Sequence, residues 1–131
     1  MPRHFVSSYV YAVYKSLFNG TLPARYNLAE NGFVTDVKNQ QDSGNCWAFA
    51  ALASLETCVL KASNKTFNFS VENMKNLIEM YSAYGWKMET NEGGYNGMPM
   101  GYLASWLGPV NATLDPFDDK GTLSPLLDSE M

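Results

Sequence analysis

The sequence predicts a cluster of α-helices joined by long connections, with little or no β-sheet. Three observations carry that expectation. Apolar residues recur at helical spacing in three stretches, while alternating, strand-like runs are scarce. Asn45 and Ser70 stand where two of those stretches need N-terminal caps. The 131 residues, 46% hydrophobic and 17% charged, suit one domain with a sizeable core.

Residues 4–18 carry apolar side chains at mixed spacing and read as an extension or an irregular helix. Residues 19–23 and the pair Asn31-Gly32 read as turns, and 33–37 as a short extended segment. From Asn45 a helix runs through Trp47, Phe49, Leu52, Leu55, Val59 and Leu60. Apolar residues cover most of its circumference, so it is expected to be a buried central helix, ending at Asn64. A second helix opens after Ser70, with Val71, Met74, Leu77, Ile78 and Tyr81 on one stripe. Residues 84–97 form a loop centred on Gly93-Gly94. A third helix spans 98–107 and stops at Gly108-Pro109. Residues 111–131 are rich in Asp, Pro and Ser and show little periodicity.

Nine basic and thirteen acidic residues give a formal charge of −4. A mildly acidic surface argues against nucleic acid or anionic lipid as the main partner. No run reaches the roughly 18 uncharged apolar residues of a membrane span, and the first ten residues lack the apolar core of a secretory leader. Cys46 and Cys58 are the only cysteines. On one helix they would lie about 18 Å apart, too far for a disulfide. Two thiols and a single histidine, His4, make a tetrahedral zinc site a poor fit. No metal and no cofactor is implied. Cys58 reads as a core residue of the central helix.

The run from Val37 through Gln40, Gly44, Cys46 and Trp47 to Ala50 carries the chemistry. A thiol is a nucleophile only as thiolate, and unpaired N–H groups in a helix's first turn favour that form. Gly44 lets backbone come close to a ligand. Attack on an amide makes an oxyanion, which the Cys46 N–H and the Gln40 side-chain amide can stabilise if the loop folds back. The other reading of Cys46 is a small buried hydrophobe at a helix start.

The match of Gln40, Ser43-Gly44-Asn45 and Cys46-Trp47-Ala48-Phe49 resembles the signature of the papain-like cysteine peptidases. Further stretches agree: Tyr26-Asn27-Leu28 with Gly32-Phe33-Val34-Thr35, Phe69-Ser70-Val71-Glu72-Asn73-Met74, and Asn91-Glu92-Gly93-Gly94-Tyr95. Together they cover roughly residues 24–110. The resemblance implies an α+β papain-like fold, represented mainly by its helical left-hand domain, with the long central helix starting at the nucleophile. It implies Cys46 as nucleophile and Gln40 as oxyanion donor. It further implies Gly93, Gly94, Tyr95 and Trp47 as the wall against which an extended peptide lies, Gly94 offering its backbone and Trp47 packing behind the cysteine. Tyr95, Met98 and Met100 follow the double glycine and are candidates for an apolar substrate pocket.

Three departures stand out. Both positions of a disulfide usual in the family are lost, since they read Ser43 and Asn91. The histidine that takes the thiol proton and the asparagine that orients it lie some 130–150 residues beyond the cysteine in that family. Here 85 residues follow Cys46, and no histidine is among them. The resemblance therefore divides the chain into an N-terminal extension or pro-segment remnant (1–23), a left-hand domain (24–112), and an acidic, proline-containing segment leading toward a missing domain (113–131). The expected function is a cysteine-type peptidase acting through a thioester, of which this chain is an incomplete part. The alternative is a catalytically inactive module that binds extended peptides or a partner protein. The expected partners are a peptide or protein substrate and a C-terminal domain or second chain supplying His and Asn. An exposed apolar face would be covered by that domain or by a homodimer. The lost disulfide positions and the absent leader favour a cytoplasmic location, with an extracellular one left open.

Overall fold

The computed structural model describes residues 23–79, 85–89, 92–118 and 124. Three helices follow in chain order: α1 (Cys46–Ser63), α2 (Val71–Ile78) and α3 (Gly97–Ala104). Sheet among the described residues is limited to one antiparallel bridge, Phe69 to Asn111. It is flanked by Ser70 N to Val110 O at 2.9 Å and Ala112 N to Asn68 O at 2.8 Å. The helical left-hand-domain fold with a long helix starting at Cys46 is thus what the chain adopts. The segment 33–37 forms no strand, the Asn31-Gly32 turn is present, and the readings for residues 4–18, 19–22 and Tyr81 lie outside the described residues.

The core lies where the three helices meet. Trp47, Ala48 and Leu52 of α1 pack with Val71, Met74, Leu77 and Ile78 of α2, Met98 and Tyr102 of α3, and Phe69 and Leu107 from the connections. Helix α1 is less buried than its composition suggests. Its buried residues are Trp47, Ala48, Leu52 and Glu56, one stripe at helical spacing, while Ala50, Ala53 and Ser54 are exposed. Cys58 is exposed as well, which corrects its reading as a core residue: position 58 falls off the stripe defined by 48, 52 and 56. By length and composition α1 could cross a membrane (18 residues, mean hydropathy 1.2). Its buried stripe is instead satisfied within the fold, and Glu56 sits in that stripe.

Helix α2 is the most enclosed element, with all eight residues buried. Its start follows the sequence: Ser70 caps it by accepting from Asn73 N at 2.9 Å. Its polar groups are paired inside. Lys75 Nζ contacts the Glu72 carboxylate at 2.8–2.9 Å, and Asn76 Nδ2 donates to Glu72 Oε1 at 2.9 Å. The chain after residue 110 supplies further partners, since Ser70 Oγ donates to Asp115 O at 2.5 Å and the Phe117 ring lies under Lys75 Nζ. Glu79, which ends the helix, is fully buried, and neither carboxyl oxygen has a hydrogen-bond partner among the described residues. Burial pushes its carboxyl up to about 8, against the opposing pull of Lys75, with Glu72 and Glu92 adding to the rise.

Helix α3 ends three residues before the expected stop. Trp106 adopts a left-handed φ of 57°. Trp106 N bonds Leu103 O at 3.3 Å and Leu107 N bonds Tyr102 O at 3.2 Å. This is the paired closure of a Schellman motif, with tryptophan in the place that glycine usually takes. It turns Leu107 into the core, and the Tyr102 hydroxyl below it donates to Asn73 Oδ1 at 2.7 Å.

Candidate active site

A tight loop brings Gln40 back to the start of α1. Ser43 N and Ser43 Oγ both bond Gln40 O, at 3.3 and 2.7 Å. The Gln40 side chain answers by donating Nε2 to Ser43 O at 2.8 Å. An amide nitrogen carries two donors, so this bond leaves a second N–H for a ligand. Asn45 holds the N-cap position through its backbone carbonyl, which accepts from Ala48 N at 3.0 Å and Phe49 N at 3.2 Å. Its side chain makes no capping bond, a correction to the side-chain cap that the sequence suggests. Cys46 is the first helical residue and is exposed. No acidic residue stands in the first turn of α1, while Asp36 lines the cleft onto which Cys46 opens. Gln40 and Cys46 line one open cleft of about 350 Å³, with Val37, Phe49, Ala50 and Thr57 among its other walls.

The double glycine arrives from the other side. Gly93 has φ +88°, and a Cβ built there would lie 3.9 Å from Gly44 O, so the two glycine-bearing loops are neighbours. Gly94 lies directly on the Trp47 indole, and Trp47 is only 6% exposed. Tyr95 is exposed and faces the exposed Trp86 ring at 6.4 Å. The structure therefore gathers Gly93, Gly94 and Trp47 beside the Cys46 end of α1. Met98 does not join a surface pocket: it is fully buried, and its Sδ accepts from Tyr95 N at 3.3 Å. Met100 is exposed and lines a separate cleft of about 310 Å³ with Trp47, Ala50 and Leu103. Asn91 and His4 lie outside the described residues.

Sequence reasoning missed a buried charge cluster. Glu56, in the buried stripe of α1, accepts from Lys38 Nζ at 2.6 Å, Thr35 Oγ1 at 2.7 Å and Phe69 N at 2.7 Å. Lys38 Nζ also donates to Phe69 O at 3.1 Å. The Glu56 side chain is 1% exposed. Breaking such a pair strands a buried charge, at a cost of about 3–5 kcal/mol. A single acid four residues after Leu52, on an otherwise apolar face, is the signal that could have found it. A cavity of about 520 Å³, lined by Phe49, Phe67, Phe69 and Phe117, opens over this pair. It is larger than the Cys46 cleft, and no cysteine lines it.

The family model described as papain family cysteine protease matches residues 22–110. Cathepsin K of Mus musculus is 33% identical over 79 residues, which is 60% of this chain and 24% of that protein. Cathepsin S of Bos taurus is 41% identical over 61 residues, 47% of this chain and 18% of that protein. The chain thus spans a quarter or less of these relatives' length. Among solved structures, the cysteine protease and lectin-like domains of Cwp84, a surface layer associated protein of Clostridium difficile, align with a TM-score of 0.68 and 28% identity. That alignment covers 76% of this chain and 22% of that one. The bromelain protease of Ananas comosus, at 23% identity, shares the fold with a TM-score of 0.64 over 82% of this chain and 45% of its own.

Proposed function

The chain belongs to the papain family of cysteine proteases, and on that premise we propose that it carries the nucleophile wall of a cysteine-type peptidase. Cys46 is the nucleophile and Gln40 the side-chain oxyanion donor, while Gly93, Gly94 and Tyr95 flank an extended peptide over Trp47. The observation that supports this best is that Gln40 and an exposed Cys46, at the start of an 18-residue helix, line one cleft.

The Cys46 thiolate attacks the scissile carbonyl carbon. A C–S bond forms and the carbonyl π electrons move to oxygen, giving an oxyanion held by the Gln40 amide and the Cys46 N–H. The carbonyl then re-forms, the C–N bond breaks, and the amine leaves with a proton from an imidazolium. Water, losing a proton to that imidazole, attacks the thioester, and the thiolate departs from the acid. The only histidine in this sequence is His4, so the imidazole is assigned to another domain or chain, which would also close the open face of the cleft.

Peptide hydrolysis by the product of the whole gene tests this reading. Cys46→Ala should abolish turnover, and Gln40→Ala should lower kcat by about 10²–10³-fold, the usual effect of losing one oxyanion donor. Turnover unchanged in Cys46→Ala overturns it. The second reading is a papain-like module that binds extended peptides without cutting them. Peptide recovered intact from a saturated complex with the wild-type product would select that reading.

A further inference from the structure

The extended segment that leads into Gln40 is tied to the rest of the fold by side-chain hydrogen bonds from Thr35 and Lys38. Among the described residues, the backbone of 34–39 makes no hydrogen bond to another backbone group. Its described anchors to the rest of the fold are Thr35 Oγ1 and Lys38 Nζ, and both end on Glu56, at 2.7 and 2.6 Å. Lys38 is two residues before Gln40. Glu56 is ten residues after Cys46 on the same rigid helix, about 15 Å along its axis. The ion pair also grips both polar groups of Phe69, whose N–H donates to Glu56 Oε1 at 2.7 Å and whose carbonyl accepts from Lys38 Nζ at 3.1 Å. Gln40 itself is bonded locally to Ser43, while the described hydrogen bonds that run from residues 34–39 to the Cys46 helix both end on one carboxylate.

We infer that Glu56 is a positioning residue for the oxyanion donor: by clamping Thr35 and Lys38 to α1 it sets where the Gln40 amide stands relative to Cys46. The inference rests on the assignment of Cys46 and Gln40 above. The physical case is that an extended segment without ladder bonds has no register of its own. Its register is supplied by a buried, charge-assisted hydrogen-bond cluster, which is geometrically demanding and stiff. A clamp at residues 35 and 38 leaves only Asn39 between the anchored lysine and Gln40, so slippage there is transmitted to the amide.

A peptide aldehyde provides a test that needs no histidine. Its carbonyl carbon adds reversibly to the thiol: a C–S bond forms, the thiol proton ends on oxygen, and a hemithioacetal results. With a ¹³C-labelled aldehyde, NMR reads the adduct on the 131-residue chain directly. Dissociation constants would be measured for the wild type, Gln40→Ala, Glu56→Gln and the double variant. Because Glu56→Gln keeps an acceptor and gives up the charge facing Lys38, the fold's stability is followed separately by urea unfolding. Gln40→Ala should weaken the adduct about tenfold, Glu56→Gln should weaken it nearly as much, and the double variant should be no weaker than Gln40→Ala, the non-additivity expected of residues acting through one another. Equal losses from Glu56→Gln with and without Gln40, or no loss at all, overturn the positioning role. No adduct at Cys46, or no effect of Gln40→Ala in the wild-type background, overturns the underlying assignment and is read independently of Glu56. If Glu56→Gln does not fold, Thr35→Val removes one bond to Glu56 Oε2 at constant shape and is judged by the same cycle.

Discussion

Gly94 stands so close to the Trp47 indole that a Cβ added there would lie 2.6 Å from both Cδ1 and Nε1 of the ring. Trp47 is the second residue of α1 and belongs to the core, so displacing its ring would disturb the packing of that core. The loop that approaches Cys46 and the helix that begins with it are thereby keyed to each other by a missing side chain.

Gly94→Ala should accordingly lower stability by about 1–3 kcal/mol, the usual cost of overpacking a filled site. The urea midpoint reads this loss. Gly93→Ala serves as the contrast, since its Cβ would meet nothing nearer than 3.9 Å. Its cost is the positive φ alone, about 1 kcal/mol. Equal midpoints for wild type and Gly94→Ala would mean that the loop does not rest on Trp47.

Glu79 gives the fold a pH dependence of unusual sign. Its folded value of about 8 lies above the ordinary 4.5, so the native chain holds a proton that the unfolded chain releases. This contribution to stability is complete below about pH 4.5, falls as pH rises, and levels off above about pH 8. From pH 5 to pH 8 the unfolding free energy should drop by about 1–3 kcal/mol through this group. Glu79→Gln should flatten the profile and be the more stable protein at pH 8. Urea titrations across that range decide it, and a wild-type stability that rises with pH while Glu79→Gln tracks it would refute the assignment.

Trp106 occupies the left-handed position of the α3 closing motif with φ 57°, and its side chain is 75% exposed. Glycine at this position avoids the cost of a left-handed side-chain-bearing residue, about 1–2 kcal/mol, while losing some of it to chain entropy. Trp106→Gly is therefore expected to raise the thermal midpoint, with a net gain of roughly 0.5–1 kcal/mol. A lowered midpoint would show that the indole makes packing contacts that outweigh the strain.

Much of the site was legible because its determinants are local. A cap such as Ser70, a helix beginning at Cys46, and a glutamine six residues upstream are all read from spacing within one turn or loop. What escaped depends on long-range pairing. Glu56 joins Lys38 and Thr35 across 18 and 21 residues, and nothing in the spacing of the lysine forecasts that contact. The end of α3 was misplaced because Trp106 does what glycine normally does, so no breaker marks it. Cys58 was misplaced because α1 is apolar around much of its circumference, while only the stripe of 48, 52 and 56 faces the other helices. Composition reports how apolar a helix is, and only tertiary packing chooses which face is covered.

The two cysteines also supply the most direct test, because both are exposed and only one sits at a helix start beside Gln40. The product of the whole gene is treated with a peptidyl electrophile, and label at Cys46 and Cys58 is quantified by peptide mass spectrometry. Cys46 should take essentially all the label, at least about tenfold ahead of Cys58, as expected if the cleft it shares with Gln40 seats the peptidyl group beside its sulfur. Equal labelling of the two thiols, as simple accessibility predicts, would contradict the assignment of Cys46 as the nucleophile.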